Sequence, residues 1–416
     1  MLTPALERAE AAVDAAYALH DESYAPPADR LAAMQAARAE AEAVIASAAS
    51  LAGQSKDSAV EARLQYLRGK AATCGPDGRG SAEAEQLLAV AVKLDPSLDG
   101  AWNAIGECYW QRGDLEAARG CFLGALAHRR SAASLCHLSM LLRLIARRSA
   151  PDEARAGVLE SLSLAREAVR LEASQGAWFS LGNAQLAVYN TCTAGSEELH
   201  RAGKAFTQAS RVGGGSSEGA MGADLAMNHG LSLFLLEALE PAMEAYATAH
   251  SLDPSVGADR MRHEVWEYAR RVSDALGASG GGGGLKQRRV PLPEPPPPSA
   301  AEDTHPRADV QQLRAGDNPG VRLRLRLLAP LPESPQRLHR SFAAADRSGA
   351  VVALALFGHN LPPALRGPAA KGATVEVEAP SLVRASCEPP VGGGEGQRVA
   401  YDCLLSSWSS LRVVSA

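Results

Sequence analysis

The sequence is poor in aromatic residues and has no long apolar run. Aromatic residues make up 5% of its 416 residues, and no apolar stretch reaches the ~18 residues that a membrane span needs. The first segment carries Glu7, Glu10 and Asp14, whereas leader segments are basic or poor in acids. We therefore expect neither a membrane segment nor a targeting leader.

The cysteines are few and scattered. Seven occur, at positions 74, 108, 121, 136, 192, 387 and 403, and none forms a CxxC pair. An odd, scattered set argues against a secreted disulfide framework and against a zinc ribbon. We interpret the cysteines as small buried apolar residues, and we expect a soluble protein of a reducing compartment.

Helix propensity and charge divide the chain in two. Alanine, the strongest helix former, is abundant up to about residue 250. Residues 307–416 hold 13 Lys/Arg and 9 Asp/Glu, a net charge of +4, which leaves −9 for residues 1–306 out of the total of −5. Because charge of one sign attracts partners of the other, the two parts are suited to different partners.

One segment fills every consensus position of a tetratricopeptide repeat (TPR), a pair of antiparallel helices. The matching residues are Trp102, Ile105, Gly106, Tyr109, Ala118, Phe122 and Ala125. Gly106 and Ala118 allow the two helices to approach closely, and the larger residues lie on one face at three- and four-residue steps. One pair cannot bury that face alone, so neighbouring repeats must stack on it.

Four weaker copies occur in the same frame, and together with the N-terminal helices they bring the array to about six helical pairs. They centre on Gly69 with Leu88, on Leu138 with Ser139, on Gly182 with Phe206, and on Gly230 with Tyr246. Two long helices over 4–20 and 28–53 precede them, and a last helix is predicted over 264–276. In the copy with Gly182, residues 190–196 lengthen the connection between the helices. The pattern predicts an α-solenoid with a concave groove.

The composition changes after residue 277. Residues 278–307 are rich in Gly and Pro, including five consecutive glycines and four consecutive prolines, which is typical of an interdomain linker. Beyond 308 the apolar period becomes two, and at least five short strands alternate with Gly, Pro and Ser clusters. This predicts a small β-barrel or sandwich over 308–416.

The sequence contains no motif that points to catalysis. The ten histidines are isolated, and HExxH, GxSxG and G-x4-GK[ST] do not occur. We therefore expect a protein that is not an enzyme, with no cofactor and no metal site.

The groove offers side chains that suit a peptide ligand. The wall-facing positions of the first helices hold Asn103, Trp110, Arg143, Asn183, Asp224 and Asn228. Asn can bond a peptide backbone, whereas Arg and Asp can each bind a group of opposite charge. We predict that these residues bind a short peptide, with plain solvated surface as the alternative for each one of them.

At these residues the chain resembles the tetratricopeptide repeat protein 5 family, also called stress-responsive activator of p300, or Strap. The resemblance runs through 84–96, 101–128, 138–143, 164–171, 182–189 and 242–254, and more loosely through 351–357 and 374–383. It implies an α+β multidomain fold: an all-α TPR-type solenoid over 1–277, a Gly/Pro-rich linker over 278–307, and an all-β OB-fold barrel over 308–416.

The resemblance also implies a non-catalytic adaptor. Family members recognise the Met-Arg-Glu N-terminus of nascent tubulin at the ribosome, which leads to tubulin mRNA decay. Their groove arginine and aspartate match Arg143 and Asp224, and their ribosome contacts lie after the last helix, where Lys286, Arg288 and Arg289 stand here. The implied partners are a nascent tubulin peptide, the ribosome and other adaptor or effector proteins, and we expect a cytoplasmic monomer. The alternative is a nuclear, stress-responsive transcription cofactor that scaffolds a p300-like acetyltransferase complex.

Three arginines alternate along one predicted strand of the C-terminal part. Arg322, Arg324 and Arg326 share one face of the strand, while Leu323 and Leu325 point into the barrel. This stripe is suited to docking on the acidic helical part or to a weak, sequence-blind contact with RNA. Because no aromatic residue neighbours it for base stacking, we expect at most weak, salt-sensitive RNA binding.

Overall fold

The structure, a computed structural model, describes residues 2–21, 27–52, 57–74, 82–214, 220–279, 308–333, 336–359, 362–365, 370–390 and 398–415. Contacts within the chain divide it into two compact units. The first unit comprises residues 1–184, 205–225 and 251–256, and the second comprises 185–204, 226–250 and 257–416. Of the predicted linker over 278–307, residues 278 and 279 belong to a helix, and residues 280–307, with Lys286, Arg288 and Arg289, lie outside the described residues.

Thirteen α-helices are described before residue 280. They are α1 (Leu2–Asp21), α2 (Pro27–Ala52), α3 (Ser58–Thr73), α4 (Ala82–Leu94), α5 (Asp99–Gln111), α6 (Leu115–His128), α7 (Ala132–Ala146), α8 (Pro151–Leu171), α9 (Gln175–Val188), α10 (Ser196–Val212), α11 (Ala220–Leu235), α12 (Leu239–Leu252) and α13 (Ala258–Ser279). The last helix therefore begins six residues before the predicted start at 264 and ends three residues beyond the predicted end at 276. None of the helices in the described part of the chain is long and apolar enough to cross a membrane.

The repeat frame predicted from the sequence is confirmed by how the helices pack. A Cβ atom added to Gly106 would lie 2.5 Å from the ring of Phe122, and one added to Gly182 would lie 2.4 Å from Phe206. Both rings are fully buried. Each glycine is thus required for the close approach of a helix to the aromatic residue of its partner helix. The same relation holds in the second unit, where a Cβ atom added to Gly230 would lie 2.8 Å from the ring of Tyr246.

The predicted long connection between α9 and α10 is ordered as a π-helical turn. It spans Tyr189–Thr193 and ends at Ala194 with a left-handed φ of 48°. Tyr189, just before the insertion, and Cys192 within it are buried, so this turn supplies side chains to the interior of the second unit. All seven cysteines are free and six are buried, as predicted.

The C-terminal part forms one sheet of eight described strands. These are β1 (Gly316–Asp317), β2 (Arg322–Pro330), β3 (Arg340–Ala345), β4 (Val351–Phe357), β5 (Thr374–Glu378), β6 (Ser381–Cys387), β7 (Val399–Ser407) and β8 (Leu411–Ser415). Their order is β1-β6-β7-β4-β3-β2-β5-β8. Leu323, Leu325 and Leu327 of β2 enter the core of this sheet, as the alternating pattern predicts.

The strands β2 to β7 close this sheet into a barrel of five strands, in which β5 and β6 count as one. β2, β3 and β4 form an antiparallel meander, β7 pairs parallel with β4, β6 pairs with β7, and β5 pairs back with β2. Only Ala379 and Pro380 separate β5 from β6, so these two strands act as one bent strand that joins β7 to β2. The arrangement is the five-stranded Greek-key barrel of an OB-fold, in agreement with the predicted fold class.

Candidate peptide-binding site

The pair α7–α8 differs from the repeats on either side of it, in which an aromatic ring of the second helix packs against the repeat glycine. Phe122 and Phe206 each lie six residues before the end of their helices, and Ala165 holds that place in α8. Ser139 stands in the position of the repeat glycine. Its hydroxyl donates to the Ser161 carbonyl at 2.9 Å and lies 3.0 Å from the Ser161 hydroxyl. Polar groups thus replace the ring at this helix contact.

Arg143 uses these polar groups. It lies one turn after Ser139, and its Nη1 donates to the Ser139 hydroxyl at 2.8 Å and to the Ser161 hydroxyl at 3.1 Å. The residue is half-exposed by area, but its guanidinium lies deep among protein atoms, and this burial lowers the pKa of Arg143 to about 10. The group therefore stays charged at neutral pH.

Among the residues that the structure describes, the charge of Arg143 has no partner of opposite sign. No carboxylate in the described part of the chain forms an ion pair with it, and the nearby Arg147 lowers its pKa further. A buried cation that lacks a counter-charge costs free energy, which an anionic ligand group would recover. Arg143 is therefore suited to bind a carboxylate of a ligand.

The hydroxyl network extends to α9 and fixes the position of Arg143. The Ser180 hydroxyl donates to the Ser139 hydroxyl at 3.5 Å, and Ser139 and Ser161 are fully buried. Cys136, one turn before Ser139, has its pKa raised to about 11 by burial. The thiol is therefore neutral and adds no negative charge beside the arginine.

Asp224 on α11 provides charge of the other sign. Its pKa is raised because protein atoms cover part of the carboxylate and because Asp253 adds a second negative charge nearby. Asp253 is buried and accepts bonds from the backbone N–H and hydroxyl of Ser255, at 2.7 and 2.6 Å. No cation of the described residues pairs with Asp224, so a cationic ligand group would relieve the repulsion between the two carboxylates.

The remaining predicted groove residues differ in how deeply they are buried and in whether their side chains already interact within the chain. Asn103 is buried, and its Oδ1 has no hydrogen-bond partner within the residues that the structure describes. Trp110 is half-buried and packs against the cluster that contains Phe122 and Leu138, so part of its indole serves the core. Asn183 and Asn228 are half-buried, and each already interacts within the chain. The role of these four in ligand binding stays a prediction.

The arginine stripe of β2 is paired within the barrel. Arg322 donates to Glu378 at 2.6 Å, and the Nε of Arg324 donates to Glu376 at 2.9 Å. Arg326 also has an interaction partner. Because β5 supplies carboxylates in register with the first two arginines, their charge is compensated locally. RNA contact by this stripe stays a prediction. The net positive charge that the stripe can offer to RNA is smaller than the sequence suggests.

Sequence reasoning missed a buried polar cluster in the second unit. Arg337, from the connection between β2 and β3, forms an ion pair with Glu237, and its Nη2 donates to the carbonyl of Phe234 at 2.6 Å. Glu237 also accepts from the hydroxyls of Tyr268, at 2.9 Å, and Tyr401, at 2.8 Å. The side chains of Arg337 and Glu237 are 3% and 1% exposed, so the pair is fully removed from water.

Aromatic rings complete this cluster. The Arg337 guanidinium lies 4.3 Å from the ring centre of Phe234 and 4.0 Å from that of Tyr268, within cation–π range. His339 lies 3.2 Å from the same guanidinium, and burial together with this cation holds its pKa well below the usual value. No sequence signal marks Arg337, because it stands in a connection without periodic pattern, 100 residues from Glu237.

The chain is similar in sequence to proteins named Tetratricopeptide repeat protein 5. It is 36% identical to the human protein over 222 residues, which is 53% of this chain and 49% of that protein. It is 35% identical to the mouse protein over 223 residues, with the same two shares. The chain thus spans about half the length of the curated relatives it matches. No family model matches the chain.

Two solved structures share low identity with this chain. The hetero-tetramer Cut9–Hcn1 of APC/C has a chain of 15% identity and TM-score 0.43, over 53% of this chain and 38% of that one. YrrB, described as a TPR protein with an unusual peptide-binding site, has 18% identity and TM-score 0.33, over 50% of this chain and 94% of that one.

Proposed function

We propose that this protein is a non-catalytic adaptor that binds a short peptide through the first helices of its repeats. The observation that carries the proposal is Arg143, a deeply placed cation that no described carboxylate neutralises. Asp224, with its raised pKa beside Asp253, supplies the complementary charge. A peptide that carries both an acidic and a basic group would satisfy both residues.

The peptide that we propose is the N-terminus of nascent tubulin, Met-Arg-Glu-Ile, recognised in the cytoplasm on translating ribosomes. Its glutamate is suited to Arg143, and its arginine or amino terminus is suited to Asp224. The similarity to Tetratricopeptide repeat protein 5, over about half the chain, supports this choice. The downstream effect would be decay of tubulin mRNA.

Peptide titration tests the groove. A fluorescein-labelled Met-Arg-Glu-Ile peptide is titrated with the intact chain and followed by anisotropy, because a fragment ending at 277 would lack Arg337 and leave Glu237 unpaired. We expect Arg143→Glu and Asp224→Lys each to weaken binding by about 30-fold or more, since loss of a desolvated charge partner costs about 2–5 kcal/mol.

Arg155→Glu is the matched control. It makes the same charge change on an exposed residue of α8, and should alter affinity only a few-fold because solvent screens it. Equal affinities for wild type, Arg143→Glu and Asp224→Lys would rule out this groove. Capture of ribosomes that translate tubulin, compared with ribosomes that translate a control protein, tests the tubulin assignment separately.

A further inference from the structure

Two connections of the barrel bind helices of the same unit. From the β2–β3 connection, Gln336 donates to Glu264 of α13 at 2.8 Å, and Arg337 pairs with Glu237 in the turn between α11 and α12. Beside the β6–β7 connection, Arg398 donates to Glu240 at 3.1 Å. Each contact joins a polar or cationic group of the barrel to a helical carboxylate.

Helical residues also cover the face of the barrel that lies between these two connections. Helix α13 packs across β3, β4, β6 and β7. Tyr401 of β7 reaches Glu237 with its hydroxyl at 2.8 Å and is 9% exposed. The Tyr189 hydroxyl, from the π-helical turn, lies 3.4 Å from the backbone nitrogen of Leu338, which donates to it. Helical residues therefore occupy this face continuously.

OB-folds use the corresponding surface for ligands. Their second and third strands, with the connections between strands 1 and 2 and between strands 4 and 5, bind oligonucleotides and oligosaccharides. In this barrel those elements are β3 and β4, the β2–β3 connection and the β6–β7 connection. Arginines and aromatic rings are the side chains that bind single-stranded nucleic acid on such barrels. Here Arg337, Arg398 and Tyr401 have that chemistry, and all three bind carboxylates of the helices.

We propose that the barrel is a protein-docking module, in which the surface that OB-folds use for nucleic acid binds the α11–α12 turn and α13 of the same chain. Glu237, Glu240 and Glu264 present negative charge to the barrel's arginines and amide, as phosphates would. The surface is thereby closed to single-stranded nucleic acid in the intact protein, and the barrel's partner is the end of the helical repeat array.

RNA titration of the intact chain tests this assignment. A fluorescein-labelled 20-nucleotide single-stranded RNA is titrated at 50 and 150 mM salt with wild type and with Arg398→Glu, a variant of an exposed residue that leaves the core intact. Under the proposal, Arg398→Glu changes any weak binding by less than threefold at 150 mM salt. A tenfold or greater loss of RNA affinity in Arg398→Glu would overturn the proposal, because it would place RNA on this surface.

Hydrogen exchange tests the docking itself. The double variant Gln336→Ala/Arg398→Ala removes two contacts at the rim while it keeps the buried Arg337 pair. We expect backbone amides around Tyr268 and Tyr401 to exchange faster than in wild type, while amides of the β2–β5 ladder keep their rates. Unchanged exchange around both tyrosines would show that these contacts do not hold the surface closed, and would overturn the proposal.

Discussion

Removal of the Arg337 charge should destabilise the second unit more than any surface ion-pair change. Arg337→Met keeps the length of the side chain but leaves Glu237 buried, 1% exposed, without its cation. Breaking a buried pair by removing one partner costs about 3–5 kcal/mol. For a unit of this size each kcal/mol lowers the melting temperature by about 2–4 °C, so a shift of about 10 °C is expected.

The magnitude has a specific origin. Arg337 donates to the Phe234 carbonyl and lies over two aromatic rings, and methionine can replace only the apolar part of these contacts. Glu237 would retain the hydroxyls of Tyr268 and Tyr401 as donors, which stabilise a carboxylate but do not neutralise it. The dominant cost is therefore the uncompensated negative charge.

Differential scanning calorimetry of four proteins isolates this cost. Arg201→Ala, which breaks an exposed pair with Glu197 in the same unit, is the control and should cost about 0.5 kcal/mol or less. Arg337→Met/Glu237→Gln removes both charges and should recover at least ~1 kcal/mol relative to Arg337→Met, as a coupled pair requires. If Arg337→Met melts within 1–2 °C of Arg201→Ala, the reasoning from burial is refuted.

Two further predictions concern packing and pH. Gly106→Ala should cost about 1–3 kcal/mol, because the new Cβ would lie 2.5 Å from Phe122, whereas Gly120→Ala, which meets nothing within 4 Å, should stabilise its helix by about 0.5–1 kcal/mol. Urea unfolding compares the two, and effects of the same sign would contradict the repeat packing. Because the pKa of His339 is lowered in the folded state, its contribution to stability is present above pH ~6.5 and is lost as pH falls, by at most about 1.4 kcal/mol per pH unit. His339→Gln should therefore lose less stability between pH 7.5 and 5.5 than wild type, and identical losses would contradict the burial of a neutral histidine beside Arg337.

The sequence was sufficient to predict features that depend on local periodicity. The glycine and aromatic positions of the repeats fixed which helix faces meet, and the alternation of Leu323, Leu325 and Leu327 fixed the inner face of β2. These features are readable because helix and strand geometry place residues on faces by their spacing alone. The same logic placed Arg143 in the position where Trp110 stands in the preceding repeat.

Features that depend on distant partners could not be predicted. The stripe of β2 appeared free because Glu376 and Glu378, which pair with Arg324 and Arg322, lie more than fifty residues further along the chain. The depth of the Arg143 guanidinium also depends on partners in another helix, Ser161 above all. Spacing identifies the face on which a side chain lies, but it does not identify what the opposing element contributes.

The form of the π-helical turn could not be predicted from the sequence either. The sequence indicated an insertion at 190–196, and a surface loop is the ordinary form of such an insertion. The structure instead winds it as a continuation of α9 that buries Tyr189. The tyrosine hydroxyl accepts from the Leu338 amide, a partner that only the folded barrel provides, so its role could not be inferred from local pattern.

The spacing of the Arg337 cluster along the chain sets an order of events during synthesis. Glu237 is made 100 residues before Arg337 and 164 residues before Tyr401. At about 5–20 residues per second, the ribosome needs about 8–30 s to supply the last of these partners. For the first 100 residues of that synthesis, about 5–20 s, the turn between α11 and α12 carries a carboxylate whose cation does not yet exist. The second unit can close only later, when β7 has emerged with Tyr401.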